Sequence, residues 1–148
     1  MRNLLFKGKR ADNGDWVEGI GIYYPKSLKN TGECYLESAE DYSDKWIKVI
    51  PETVSEDIGV KDMVNNLIFE NDLIETIDNR IKGIIKYGPY KQRGWPSSYE
   101  CVNQGFYIDW IDDGVNCWND WMRQDIYFWK DKIRVGGNIF DHPELLRK

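Results

Sequence analysis

Residues 72–87, DLIETIDNRIKGIIKY, decide the fold class. Two runs rich in isoleucine and other strand-forming residues, 72–77 and 80–87, flank an Asp-Asn pair that favours a turn. The pattern therefore predicts two strands joined by that turn. Because successive side chains of a strand point to opposite faces, Ile85 is expected to face the core if Lys86 faces solvent.

Further short strands are predicted on both sides of this stretch. The N-terminal segment reads as a hairpin around Asn13-Gly14, because both residue types tolerate the positive φ of tight hairpin turns. Pro51 ends another strand, since proline lacks the backbone donor that a strand interior uses. The other predicted strands cover residues 34–36, 46–50, 67–69, 105–111 and 132–135, with loops bounded by Gly88-Pro89 and Gly94-Trp95-Pro96. Short strands punctuated by Gly, Pro and Asn are typical of a mainly β barrel or roll.

One longer helix is predicted, between Asn119 and Lys132. Trp118, Trp121, Asp125 and Trp129 recur near it at almost helical spacing. Asn119 is a suitable residue to cap the start of this helix. A short terminal turn is expected around Pro143, where the missing N–H of proline costs nothing.

Length and composition indicate one folded domain. The 148 residues could hold a smaller N-terminal β subdomain, 1–50, beside a barrel core of roughly 51–148. The net charge of −5 opposes binding to nucleic acid or acidic membranes except through a local patch. No apolar run has the length of a membrane-spanning helix, and charges interrupt the signal-peptide-like start, so we expect a cytoplasmic protein without a membrane partner. Cys34, Cys101 and Cys117 lack disulfide or zinc-site spacing and are expected to be structural thiols.

The chain lacks a recognisable catalytic set. His142 is the single histidine, and it falls in the predicted terminal turn, where packing or capping explains it. Asp109, Asp112 and Asp113 could hold a divalent cation in a metal-dependent enzyme, but an Asp-Asp-Gly run is also an ordinary turn. The alternating ligand spacing of a calcium loop is missing, which favours the turn. We therefore expect no enzyme, no metal and no cofactor.

Blocks at residues 6–19, 49–74, 83–88, 105–108 and 137–146 follow one another in the order found in the YopX family of phage and prophage proteins, which the chain resembles. The resemblance implies an SH3-like barrel or roll core with short helical additions, inside an infected bacterium. It implies no activity. Asn65 and Asn71 stand where the family usually carries glycine, so a left-handed backbone is expected at both. Ser55–Gly59 replaces a glycine-containing run of the family and is interpreted as a loop.

Two binding hypotheses compete. The 7 Trp and 9 Tyr could fill the few core positions of a small β fold, which enriches aromatics in its strands. They could also form a protein-binding or self-associating surface, at Trp110, Trp118, Trp121 and Trp129. Its partners would be further copies of the chain, a host protein or a phage protein. The alternative is single-stranded nucleic acid, with basic side chains on phosphates and an aromatic ring on bases, using Arg80, Lys82, Lys86, Tyr87 and Lys91. A solvated strand face explains the same basic residues.

Overall fold

The computed structural model describes residues 4–25, 32–38, 46–93 and 100–146. Their contacts divide the chain into two compact units, residues 1–59 and 60–148. The prediction of a mainly β protein is confirmed. The strands are β1 Phe6–Lys9, β2 Trp16–Tyr23, β3 Cys34–Ser38, β4 Trp46–Val49, β5 Ser55–Lys61, β6 Leu67–Phe69, β7 Asp72–Thr76, β8 Lys82–Arg93, β9 Glu100–Trp110 and β10 Ile133–Asn138.

The predicted N-terminal hairpin is confirmed as β1 and β2, paired from Phe6 with Gly19 to Lys9 with Trp16. Its loop is wider than the expected two-residue turn. The amide of Arg10 donates to the carbonyl of Asp15 at 2.8 Å, and only Gly14 of the expected pair has a positive φ, 76°. A type I′ two-residue turn would need positive φ at both Asn13 and Gly14. The longer loop needs it at Gly14 alone.

The core of the first unit lies against β3 and β4. Cys34, Leu36 and Val49 are fully buried there, and Phe6 and Val17 pack on them from the hairpin. These side chains alternate with more exposed ones along β3, as expected for a sheet with one buried face.

The described strands form two open antiparallel sheets and no closed barrel. Their strand orders are β4-β3-β2-β1-β5-β6 and β10-β7-β8-β9. An isolated bridge between Arg10 and Val49 joins the end of β4 to the chain that follows β1. The mainly β class is therefore correct, and the finer expectation of an SH3-like barrel is not confirmed.

The second unit is built on the long β8–β9 hairpin, which pairs without a bulge from Gly83 with Trp110 to Arg93 with Glu100. Sequence reasoning ended the first of these strands too early, since Pro89 lies inside β8 instead of bounding a loop. β7 pairs with β8 only from Lys82 to Ile84, so the far half of the hairpin extends beyond β7. Ile85 is fully buried, as predicted.

Two further expectations are corrected. Ser55–Gly59 belongs to strand β5 instead of a loop, and the left-handed residue within it is Gly59, at φ 82°. The helix predicted from Asn119 to Lys132 is wrong. Only α1, Ile126–Trp129, is α-helical, while Trp118–Asp120 forms a 3-10 turn, as does Pro143–Leu146 at the predicted terminal turn.

The left-handed backbone expected at Asn65 and Asn71 is present, with φ of 69° and 71°. The prediction at Gly94-Trp95-Pro96 lies outside the described residues. The side chain of Cys101 is also outside them. Across the described ranges, no helix combines the length and the apolar character needed to cross a membrane.

Candidate functional site

The four tryptophans of the predicted interface have different surroundings. Trp110 is 2% exposed, so its side chain is in the interior and is not part of a surface. The indole N–H groups of Trp110 and Trp129 both donate to the carbonyl of Arg123, at 2.9 and 2.8 Å, and the two rings meet edge to face. Trp118 is half-buried, while Trp121 is 82% exposed. Trp110 and Trp129 therefore hold the chain around Arg123 in place, and Trp121 offers the large apolar surface.

That chain segment, residues 119–124, covers one end of the outer edge of β9. The amide of Ile108 donates to the carbonyl of Gln124 at 2.9 Å. The side-chain oxygen of Asn119 accepts the amide of Trp110 at 2.8 Å, and its Nδ2 donates to Asp109. Asn119 thus acts as a substitute strand partner instead of a helix cap, which is why the predicted helix does not form.

The rest of this edge is open. β9 is the last strand of its sheet, and alternate residues of an edge strand point their N–H and C=O groups outward. The backbone amides of Ile108 and Trp110 donate away from β8. By the same alternation, the backbone N–H and C=O groups of Val102, Gln104 and Phe106 also point away from β8. In the described part of the chain these three have no hydrogen-bond partner on that side. The free edge, as we call Val102, Gln104 and Phe106, is a template for an added strand.

Apolar side chains accompany the free edge on one face of the hairpin. Val102 is 72% exposed and Tyr87 is 56% exposed, both high values for apolar strand residues. The ring of Tyr87 meets its cross-strand neighbour Phe106 edge to face at 5.0 Å. An added strand could cover this apolar row.

A cleft of about 360 Å³ lies beside the hairpin and is lined by residues of both of its faces. Tyr90 and Tyr107 stack there with ring centroids 5.4 Å apart. The cleft is lined by Pro89, Tyr90, Lys91, Val102, Tyr107, Asp109 and Gln124. A second hollow, about 220 Å³, lies beside Trp121 and shares Lys91 and Gln124 with the cleft. The cleft and the hollow therefore border Lys91 and Gln124, which lie near the two ends of the free edge. They leave room for side chains of an added strand.

The nucleic-acid candidates do not share one surface. Because successive side chains of a strand point to opposite faces, Lys82 and Lys86 lie on one face of β8, and Tyr87 and Lys91 lie on the other. Arg80 lies in the turn before β8, beside Asp78 at 3.8 Å.

Lys86 is also neutralised by an acidic neighbour. Its Nζ donates to Asp109 at 2.6 Å, and this hydrogen bond raises the pKa of Lys86 above its usual value. The basic strand therefore offers less positive charge to a phosphate backbone than its sequence indicates.

The carboxylates of the metal hypothesis are occupied by protein donors. The side chain of Asn116 donates to Asp113, as do the backbone amides of Asn116 and Val115 at 2.6 and 2.9 Å, and these three bonds lower the pKa of Asp113. Asp109 bonds to Lys86 and Asn119, and Asp112 has interactions of its own. Among the described residues, no three His, Cys, Asp or Glu side chains form a group that could hold a metal ion.

The remaining single residues have structural surroundings. His142 is packed against Gly137, and its Nδ1 is buried without a hydrogen-bond partner. Cys34 is buried, where desolvation raises the pKa of its thiol, and Cys117 is exposed.

Comparison with known proteins extends over nearly the whole chain. A family model described as YopX protein matches residues 5–147, so the resemblance found in the sequence is confirmed. No curated protein matches the chain.

Proposed function

The chain belongs to the YopX protein family, and from that premise we propose that it is a non-enzymatic accessory protein that binds other polypeptides at the free edge of β9. The observation that carries the proposal is the row of outward backbone groups at Val102, Gln104 and Phe106. An extended segment of a partner would add to this edge as a further strand, with main-chain hydrogen bonds for affinity and side-chain contacts for specificity. The setting is the bacterial cytoplasm, with a phage or host protein as the partner.

The treatment of the other edges of the same sheet supports this assignment. At β10, the carbonyl of Ile133 accepts the amide of Met63, and the amide of Val135 donates to Asp62 at 2.9 Å. On β8, beyond its pairing with β7, Pro89 removes a backbone donor from the outer side. Proteins commonly block exposed edges in these ways because an open edge recruits other strands. The edge at β10 is thus covered and the outer side of β8 lacks a donor, whereas the free edge of β9 is left open.

Trp121 supports binding at the same place. It lines the hollow that adjoins the cleft, and a large exposed indole is a common anchor of protein interfaces. A partner strand that reaches the end of the free edge meets Gln124, which already occupies the position opposite Ile108. Trp121 can then contact side chains of the partner near that end.

The test is selection of peptides on the immobilised protein from a displayed library of short random sequences. Gln104→Pro removes the central outward N–H, and because this N–H points away from β8, the pairing of β8 with β9 loses no donor. Gln104→Ala is the matched control, since it removes the side chain and keeps the N–H. We expect selected peptides to bind the parent and Gln104→Ala equally, and to lose binding to Gln104→Pro.

A second variant, Trp121→Ala, is expected to weaken the same peptides without changing thermal stability, because this side chain is mostly outside the core. If selected peptides bind Gln104→Pro as well as the parent, the binding site is elsewhere. If no peptide is selected and the protein captures no partner strand of any kind, the proposed function is wrong. Binding that requires nucleic acid and falls steeply with salt would favour the single-strand alternative.

A further inference from the structure

We propose that the strand which occupies the free edge is the β9 strand of a second copy of this chain, paired antiparallel about a twofold axis through Gln104. This inference rests on the proposed function, because it names the occupant of the same edge. Most homo-oligomers are closed and symmetric, and a twofold contact uses the same patch on both subunits. The free edge has the properties that such a contact requires.

The register follows from the spacing of the outward residues. With Gln104 opposite its own copy, Val102 lies opposite Phe106 of the partner, and Phe106 lies opposite the partner's Val102. Each such outward pair exchanges two backbone hydrogen bonds, so the three pairs supply about six. Gln124 occupies the position opposite Ile108 in each copy, so the pairing ends at Val102 and Phe106, and the partner strand has to leave the edge at Glu100, which this register would otherwise place opposite Ile108.

The side chains fit the same register. Val102, Gln104 and Phe106 have one parity and therefore lie on one face, with Tyr87 beside Phe106. Across the axis, the exposed side chain of Val102 meets the aromatic ring of Phe106. Pairs of an aromatic and a β-branched residue are among the favourable cross-strand pairs. The twofold repeats this pair, which covers an apolar side chain that is otherwise in solvent.

Charge does not oppose the pairing. The segment Val102-Asn103-Gln104-Gly105-Phe106 contains no ionisable side chain, so an antiparallel copy places no like charges opposite each other. The nearest cation on this face, Lys91, is the cross-strand neighbour of Val102. The twofold axis places Lys91 of one copy and Lys91 of the second copy at opposite ends of the paired segment, so the two charges are far apart. This uncharged, self-complementary segment is the reason to choose a second copy over a charged partner.

The first experiment is the mass of the full chain in solution over a range of concentrations. We expect a dimer that dissociates on dilution, because a contact this small falls at the weak end of protein interfaces. Gln104→Pro should be monomeric at the same concentrations, and Gln104→Ala should remain a dimer. Val102→Lys, which leaves the backbone intact, should weaken the dimer roughly tenfold, because the symmetric contact contains the Val102–Phe106 pair twice.

The second experiment tests the register directly. In a Cys117→Ser background, Gln104→Cys places two identical thiols across the axis, with Cα atoms about 5.5 Å apart. A short thiol crosslinker should then join two chains. Val115→Cys is the matched control, because Val115 is 89% exposed but lies outside β9, and this variant should not crosslink above the background.

The outcomes separate the two proposals. A chain that is monomeric at every concentration, yet selects peptides lost by Gln104→Pro, overturns the inference and leaves the proposed function standing. A dimer that survives Gln104→Pro, or that fails to crosslink through Gln104→Cys, overturns the assigned contact. A dimer lost in Gln104→Pro and crosslinked at position 104 supports it, whether or not any peptide is selected.

Discussion

Replacing Asp62 should show how strongly one carboxylate stabilises the second unit. Asp62 is buried beside the turn before β6, and its two oxygens accept three backbone amides. Oδ1 accepts Val64 at 3.1 Å and Asn66 at 2.8 Å, and Oδ2 accepts Val135 at 2.9 Å. The third bond joins segments that are far apart in sequence.

The magnitude follows from which oxygen each variant removes. Asp62→Asn keeps one oxygen for the two turn amides but turns an NH₂ group towards Val135, so it loses one charge-assisted bond, about 1.5–3 kcal/mol. Asp62→Ala loses all three. Because Val64 and Asn66 are exposed and their amides can bond to water, we expect a total of about 3–5 kcal/mol rather than three times the single value.

The assay is urea unfolding followed by tryptophan fluorescence, with the midpoints compared at unchanged slope. The control is Asp113→Ala, which removes a carboxylate that also accepts two backbone amides but lies in an exposed turn, where water replaces it. Its loss should be clearly smaller than that of Asp62→Asn. Equal losses for Asp62→Asn and Asp62→Ala, or losses below about 1 kcal/mol for both, would refute the reasoning from separate oxygens.

Three further predictions concern single positions. Asn65→Ala should lower the free energy of unfolding by about 1–2 kcal/mol, because the backbone there is left-handed, whereas Asn65→Gly should leave it unchanged or raise it; urea unfolding of the pair decides this. Cys117 should react with a thiol reagent in the native protein, and Cys34 should be modified only as the first unit unfolds, since it is buried and its thiol pKa is raised; timed mass spectrometry distinguishes them. Because Asp109 raises the pKa of Lys86, the pair stabilises the fold fully below the ordinary lysine value of 10.5 and loses this effect as pH rises through the folded-state pKa. The cost of Lys86→Met, below about 1 kcal/mol for so exposed a pair, should therefore disappear in strong alkali and persist at neutral pH.

The fold class was predictable because it rests on local signals. Strand residues around an Asn-Gly or Asp-Asn pair, and the alternation that buries Ile85, depend on neighbours in sequence. The left-handed backbone at Asn65 and Asn71 was also predictable from a local signal, because the family usually carries glycine at these two positions. The helix after Asn119 failed because a tertiary contact decided it: the Asn119 side chain bonds to Trp110 and Asp109 of β9 instead of capping a helix.

The candidate site was only partly predictable. Composition indicated an interface, and Trp121 is exposed as that hypothesis requires, but the burial of Trp110 depends on pairing across the sheet. The free edge was missed because nothing local marks a strand as the last in its sheet. Pro89 carried a signal for the other side of the hairpin, since a proline with strand residues around it indicates an edge, here the outer side of β8, and it was interpreted as a loop boundary.

Pro89 also has a consequence for the size of an assembly. A hairpin with two open sides can take a strand on each, and repeated addition produces an endless sheet of the kind found in fibrils. With a proline on one side, the described part of this hairpin offers one open edge, and pairing two such edges consumes both. Strand addition at this hairpin would then stop at two chains.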